Sequence, residues 1–277
     1  MTIQAHAKVN LTLRILDKRA DGFHNLETLM VPVTLCDDVD VVVTDGEGIT
    51  LECDNPDVPA DGRNLAWRAV EAFVARTGRR FHVRISLKKR IPFGAGLGGG
   101  SSDAASVLVA LDRILGTELP AEDLEAVAAT LGSDIPFFIR SRPAICRGRG
   151  EILTRFDGGI PECGILLVKP PFPVPTAWAY QAWAASDKKP TASSGELPGG
   201  ITLVNDLERP VFAKYLMLPA LKEWLAAQPE VAAAMMSGSG STVFAVLRDG
   251  PGSLEDRLRN HFGETLWTHS CRLGWTV

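Results

Sequence analysis

The chain has 277 residues, 45% of them hydrophobic, so it can bury a substantial core as one large domain or, more in keeping with its length, two moderate ones. Lysine and arginine (29) nearly balance aspartate and glutamate (33), and no dense basic block occurs, which argues against nucleic acid and anionic membranes as partners. The 5 scattered cysteines show no C-x-x-C spacing, so they indicate reduced thiols and neither a zinc site nor a disulfide framework.

The N-terminus carries no targeting signal that the sequence reveals. It lacks the basic start and apolar run of a signal peptide, and no apolar stretch is long enough to span a bilayer. We therefore expect a soluble, cytoplasmic protein.

Strand patterns dominate the first part of the chain. Apolar and polar residues alternate from residue 6 to residue 15, which places Lys8 and Asn10 on one face of a strand. Further strands are expected over residues 27–33, 39–44 and 81–88.

Helical spacing follows in three segments, each ended by a glycine. We predict helices over residues 64–77, from the serine at 101 to residue 115, and over 120–131. Asp134, just beyond the last of these glycines, is expected at the start of a further short helix.

The helical and strand patterning breaks at Gly158-Gly159-Ile160-Pro161, which we interpret as a domain boundary. This predicts an N-terminal domain over residues 1–157 and a C-terminal domain over 158–277. Within the second domain we expect strands at 164–168 and 243–247, a helix near 214–227, and a mobile surface loop over 186–200.

The most informative segment is the glycine loop, residues 92–105, which lies between a strand pattern and a helix pattern and holds five glycines and two serines. Glycine lets the backbone turn sharply and approach an anion, while the following helix presents unpaired amides and the positive end of its dipole. The segment therefore predicts a phosphate-binding site.

Two common phosphate motifs fit this loop poorly. The P-loop pattern requires a lysine where Gly100 stands. The dinucleotide pattern G-x-G-x-x-G is met by Gly94, Gly96 and Gly99, with Asp112 at the distance of a ribose-binding acid, but the preceding strand is half polar and Asp112 falls inside a helix. A nicotinamide-dependent oxidoreductase is therefore a minor alternative.

The glycine loop resembles the phosphate loop of the GHMP kinases, and other segments of the chain resemble that superfamily in the same order. These segments cover residues 7–11, 19–24, 132–138, 148–154 and 236–240. The resemblance implies an α+β fold of two domains, an N-terminal β-rich ATP domain with packed helices and a C-terminal ferredoxin-like α/β sandwich.

Within the superfamily, the tripled glycine before the serines, together with residues 7–11 and 19–24, resembles the sequences of the branch that phosphorylates a cytidine diphosphate sugar alcohol. The implied activity is ATP-dependent, with Mg²⁺, and transfers phosphate to the 2-hydroxyl of cytidine diphosphate methylerythritol in the non-mevalonate isoprenoid route. Another GHMP kinase with a different small-molecule acceptor, or a catalytically silent nucleotide-binding protein, are the alternatives that remain open.

The resemblance also implies a catalytic pair, Lys8 and Asp134, with the acceptor hydroxyl between them. Local sequence alone favours simpler roles for both residues. Lys8 on an alternating strand is typical of a solvated outer face, and Asp134 is as well explained as a helix cap.

The remaining site residues are assigned by the same resemblance. Local sequence alone favours a turn-edge role for His24, and it offers simpler alternatives for the others: Asn64 and Thr176 as helix caps and Lys89 as a solvated charge. For the nucleotide, the implied residues are Pro92, Phe93, Gly94, Ala95, Gly96, Leu97, Gly98, Gly99, Gly100, Ser101, Ser102, Asn64 and Lys89. For the acceptor they are Asn10, Phe23, His24, Thr176 and Tyr180, with the aromatic rings stacked on the cytosine and His24 bonded to its edge.

Overall fold

The computed structural model describes residues 1–187, 189 and 191–274. Its largest element is a long antiparallel hairpin of β1 (Thr2–Lys18) and β2 (His24–Thr44). The two strands predicted over 27–33 and 39–44 are therefore one. The polar residues between them do not break it, because Asp37 is fully buried and its carboxylate is paired inside the protein.

The rest of the first half places helices against this hairpin. Its elements are β3 (Gly48–Cys53), α1 (Leu65–Thr77), β4 (His82–Lys88), α2 (Gly99–Leu115), α3 (Ala121–Leu131), α4 (Ile135–Arg140), β5 (Ala144–Arg147) and β6 (Ile152–Arg155).

Helix α2 begins at Gly99, two residues before the predicted start. Gly98 precedes it with a positive φ of 75°, so the glycine loop turns directly into the helix. The predicted glycine stops are confirmed at Gly78 and Gly116, which end α1 and α2 in the left-handed conformation that L-residues disfavour. Asp112 accepts hydrogen bonds beyond the far end of α2, away from the phosphate loop.

The second half contains β7 (Cys163–Lys169), α5 (Thr176–Ala184), β8 (Gly195–Leu197), β9 (Ile201–Asn205), α6 (Glu208–Lys214), α7 (Met217–Ala226), β10 (Val231–Met236), β11 (Val243–Leu247), α8 (Leu254–Phe262) and β12 (Trp267–Leu273). The segment predicted as a loop over 186–200 thus includes strand β8, which pairs with β9.

Among the described residues, the strands form a sheet whose main order is β10-β11-β7-β12-β2-β1-β9-β8. Strands β7, β10, β11 and β12 have the β-α-β-β-α-β order of a ferredoxin-like sandwich, with α5, α6 and α7 in the connection from β7 to β10 and α8 in that from β11 to β12. The predicted α+β class is confirmed. In the part of the chain that the structure describes, no helix is both long and apolar enough to cross a membrane.

Three hydrophobic clusters hold these layers together. One lies between the hairpin and helices α1 to α4, a second lies under α5 to α8, and a third joins β1 and β2 to β7, β10 and β11. Ile91, Ala95 and Leu97 of the glycine-loop region belong to the third cluster. Their burial fixes the loop where the two halves meet.

Candidate active site

A cleft of about 780 Å³ lies along the glycine loop at the junction of the two halves. Residues 92–101 form one wall, and the rest of the lining includes residues of β1, the start of β2, α5 and residues 238–239. Ser102 does not line the cleft, because its side chain is buried within α2 and its amide donates to the carbonyl of Gly98.

Lys8 lines this cleft and is only 3% exposed, so the expectation of a solvated outer face is wrong. The glycine loop covers that face of β1, and the amide of Lys8 donates to the carbonyl of Leu97 at 3.0 Å. The pairing of β1 with β2 shifts register between His6 and Lys8, where the partner is Pro32, a residue with no N–H to continue the ladder.

The ammonium of Lys8 contacts Asp134, its predicted catalytic partner, and Asn10, which was predicted to bind the acceptor. It donates to Oδ1 of Asn10 at 2.7 Å and lies 3.6 Å from Oδ2 of Asp134. The amide of Asn10 in turn donates to the hydroxyl of Thr28 at 2.8 Å, which fixes its orientation. The structure thus brings together Lys8, Asn10 and Asp134, which are distant in sequence.

Asp134 precedes α4, as expected, but its side chain makes no capping hydrogen bond. Its carboxylate is 36% exposed and lines the cleft. The interpretation of Asp134 as a cap alone therefore lacks the bond that a cap would form. The placement leaves a carboxylate oxygen able to accept a proton or a hydrogen bond from a bound hydroxyl.

The glycine loop depends on close backbone contacts with residues 237–242, which we call the closing loop. Gly94, Gly96 and Gly98 all have positive φ. The hydroxyl of Ser237 donates to the carbonyl of Gly96 at 3.1 Å, and the amide of Thr242 donates to the carbonyl of Ala95 at 3.2 Å. The two loops therefore form one backbone unit beside the cleft.

Asn205, which the sequence did not single out, anchors the closing loop from below. It is fully buried, and its amide donates to the carbonyls of Met236 and Gly238, both at 2.8 Å. Its carbonyl accepts from the amide of Leu207 at 3.0 Å. A buried asparagine at the end of a strand is a weak local signal, since its partners lie far along the chain.

Aromatic side chains gather where the start of β2 lies beside α5. His24 is buried, stacked on Tyr180 at 6.1 Å between ring centroids, with Trp183 edge-on at 5.4 Å. Burial raises the pKa of Tyr180, which keeps its phenol neutral. Thr176 lies at the start of α5 and shares a hydrogen bond with Ser239 of the closing loop at 3.0 Å.

Phe23, the residue before His24 in the chain, also lines the cleft. It is 52% exposed, and the guanidinium of Arg149 lies 5.1 Å from the centroid of its ring. Arg149 also lines the cleft and was not assigned a role from the sequence, although it lies in one of the segments that carried the resemblance. It supplies a positive charge to the cleft beside Phe23.

The two further nucleotide-side residues have structural partners of their own. Asn64 caps α1, accepting from the amide of Ala66 at 2.9 Å, while it also lines the cleft. Lys89 is buried and contacts the carboxylates of Asp37 and Asp103, so its interpretation as a solvated charge is wrong. Burial lowers the pKa of Lys89, but these carboxylates outweigh that effect and leave it raised.

Comparisons with known proteins agree with this geometry. The model of the GHMP kinases N terminal domain matches residues 64–142, and that of the GHMP kinases C terminal domain matches residues 195–264. A 4-diphosphocytidyl-2-C-methyl-D-erythritol kinase of Methylacidiphilum infernorum is 43% identical over 269 residues, 95% of this chain and 93% of that relative. The kinase of the same name from Geobacter sulfurreducens is 41% identical over 90% of each chain.

Solved structures show the same likeness over the whole chain. A crystal structure of 4-(cytidine 5'-diphospho)-2C-methyl-D-erythritol kinase is 34% identical, covers 100% of both chains and superposes with a TM-score of 0.80. A homoserine kinase from Cytophaga hutchinsonii is 14% identical over 99% of this chain, with a TM-score of 0.68, which shows a shared fold.

Proposed function

Because the chain belongs to the GHMP kinase family, we propose that it transfers the γ-phosphate of ATP to the 2-hydroxyl of 4-(cytidine 5'-diphospho)-2-C-methyl-D-erythritol, a step in non-mevalonate isoprenoid precursor biosynthesis. Its membership of the family makes it an ATP-dependent kinase, and the names of its relatives support this acceptor. The observation that carries the mechanism is the 3.6 Å pair of Lys8 and Asp134 in the cleft formed by the glycine loop.

Phosphoryl transfer depends mainly on positioning and on meeting the charge of the phosphate oxygens. The glycine loop and the first turn of α2 supply backbone amides and the positive end of a 17-residue helix dipole. The nucleotide phosphates therefore bind along this wall, and the γ-phosphorus faces the centre of the cleft.

The acceptor hydroxyl binds between Lys8 and Asp134. Its oxygen attacks the γ-phosphorus, a new O–P bond forms, the bond from the γ-phosphorus to the β,γ-bridging oxygen breaks, and ADP leaves. Asp134 orients the hydroxyl and receives its proton, while Lys8 stabilises the negative charge that develops on the oxygen. Asn10 holds the ammonium of Lys8 in place for this role.

Magnesium would bind in this cleft mainly through the nucleotide phosphates. Within residues 1–187, 189 and 191–274, no group of three or more histidine, cysteine, aspartate or glutamate side chains is arranged to hold a metal. Mg²⁺ suits such a cleft because it keeps several waters and binds mainly to phosphate oxygens. When bound, it neutralises phosphate charge.

The aromatic side chains of the cleft suit the cytidine. We assign the stacking on the base to Phe23 and Tyr180 and the hydrogen bond to its edge to His24, because all three line the cleft and stacking with edge hydrogen bonds gives both affinity and selectivity. Arg149 is placed to meet the diphosphate of the acceptor, because a guanidinium binds phosphate oxygens in a bidentate manner.

The two-domain division also belongs to this proposal. We assign residues 1–157 to the ATP-binding domain and 158–277 to the domain that completes the acceptor site. The coil between β6 and β7 contains this boundary, and the two family models match on opposite sides of it.

The decisive experiment measures ADP release with purified protein, ATP and Mg²⁺. Release should require the cytidylyl acceptor, and ³¹P NMR should show a new phosphomonoester on its 2-hydroxyl. Mevalonate, galactose and homoserine serve as matched acceptors, and the Lys8→Ala and Asp134→Ala proteins as controls. Release of ADP with one of those acceptors instead would refute the proposal.

A further inference from the structure

Three charged side chains form a buried cluster beneath the glycine loop. We call Asp37, Lys89 and Asp103 the buried triad. The ammonium of Lys89 contacts one oxygen of each carboxylate, and the side chains of Asp37, Lys89 and Asp103 are 0%, 5% and 3% exposed. With both acids ionised, the triad carries a net negative charge away from bulk water.

The two carboxylates of the triad differ in the hydrogen bonds that they accept. Asp37 also accepts from the backbone amides of Arg90 at 2.5 Å and Ile91 at 2.8 Å, so its ionised form is well satisfied. Asp103 is bonded through one oxygen to Lys89, while its Oδ1 is buried with no hydrogen-bond partner among the described residues. A buried carboxylate with an unsatisfied oxygen is costly to ionise, so Asp103 is the member that accepts a proton most readily.

Other groups around Asp103 do not offset this charge. From β3, the thiol of Cys53 lies nearby and is itself held neutral, because burial raises its pKa. From the loop after β4, Arg90 is paired with Asp38. Asp54 adds a further carboxylate, which accepts from the amide of Lys89 at 2.9 Å. Burial raises the pKa of Asp103 to about 7; Lys89 opposes the rise and the charge of Asp37 adds to it.

The triad lies beside the proposed binding site of the nucleotide phosphates. Asp103 and Lys89 line the same cleft as the glycine loop, and Asp103 is in the first turns of α2. A Cβ built on Gly99 would lie 3.6 Å from Oδ2 of Asp37, so the triad sits directly under the loop backbone. A triphosphate brings further negative charge to this point, and like charge favours the neutral form of a carboxyl group.

We propose that Asp103 is a positioning residue that takes up one proton from solvent when ATP binds. This inference rests on the proposed ATP site. Neutral Asp103 still accepts from Lys89 through one oxygen, while the net charge of the triad falls to zero. The triad thereby holds Lys89 and the start of α2 in place without repelling the phosphates.

Proton uptake can be counted directly by titration calorimetry. Binding of ATP with Mg²⁺ is measured from about pH 6 to 8.5 in two buffers of different ionisation enthalpy, a range that brackets a carboxyl titrating near neutrality. The parent should take up more protons as the pH rises, approaching one. Asp103→Asn should take up fewer protons than the parent. The difference between the two counts is the uptake by Asp103, because the ionisation of ATP itself is common to both proteins.

A matched control separates this effect from general surface charge. Glu52 is exposed on β3, and Glu52→Gln makes the same carboxylate-to-amide change. It should show the proton count of the parent. In steady-state assays, KM for ATP should rise by up to roughly tenfold per pH unit above neutrality in the parent and in Glu52→Gln, and stay flat in Asp103→Asn.

Two results would count against the inference in different ways. Equal proton counts for the parent and Asp103→Asn would overturn it while leaving the kinase assignment intact. A parent protein that binds no ATP would overturn the proposed function and this inference with it. If Asp103→Asn does not fold, the parent decides the question: no net uptake near about pH 8, after subtraction of the ionisation of ATP, refutes the coupling.

Discussion

Replacing Gly96 by alanine tests the contact between the glycine loop and the closing loop. Gly96 has a φ of 76°, and a Cβ there would lie 2.4 Å from the carbonyl oxygen of Ser237 and 2.9 Å from that of Gly240. Both atoms belong to the backbone, so neither can rotate away. The methyl group can be accommodated only if the two loops separate.

The expected cost has two parts. A left-handed conformation costs an L-residue about 1–2 kcal/mol, and overpacking a close contact costs about 1–3 kcal/mol, so Gly96→Ala should lower the free energy of unfolding by about 2–5 kcal/mol. Relief of the contact requires a displacement of about 1 Å beside the reacting groups, and a shift of this size can reduce turnover by roughly 100-fold.

Gly78→Ala is the matched control. Gly78 has a similar φ of 66° at the end of α1, but nothing lies within 4 Å of a Cβ there. It should lose only the conformational part, about 1–2 kcal/mol, and keep full activity. Urea denaturation and ADP release measure the two effects. A Gly96→Ala protein as stable and as active as Gly78→Ala would refute the argument that the two loops are in rigid contact.

Three further tests address the rest of the site. Lys8→Met and Asp134→Asn should each lower kcat by roughly 10²- to 10⁴-fold with KM for ATP nearly unchanged, because both residues act on the hydroxyl as it reacts. An unchanged kcat in ADP-release assays would contradict the catalytic assignment. Arg149→Ala should raise KM for the cytidylyl acceptor about tenfold and leave KM for ATP alone, and equal effects on both would place Arg149 elsewhere. Asn205→Ala should lower the free energy of unfolding by about 2–3 kcal/mol, since buried backbone groups lose their partner; a loss within error in urea denaturation would contradict this.

Several features of the fold follow from local sequence because their causes are local. Alternation over residues 6–15 predicted β1, and the glycines at 78 and 116 end helices as expected because each adopts a positive φ. The predicted break between residues 33 and 39 is wrong for the opposite reason. Polar residues there are stabilised by partners beyond the strand, which periodicity does not detect.

The site shows the same contrast. Glycine spacing alone indicated a phosphate loop, since the backbone conformation it requires is written in the residues themselves. The environments of the charged residues could not be inferred from local sequence, because burial and ion-pair partners arise only when distant segments pack together. Lys8 is buried beside Asp134 because the glycine loop covers β1, and Lys89 contacts both carboxylates of the buried triad. Local pattern thus determines where the chain can bind an anion, whereas tertiary packing decides which charges meet there.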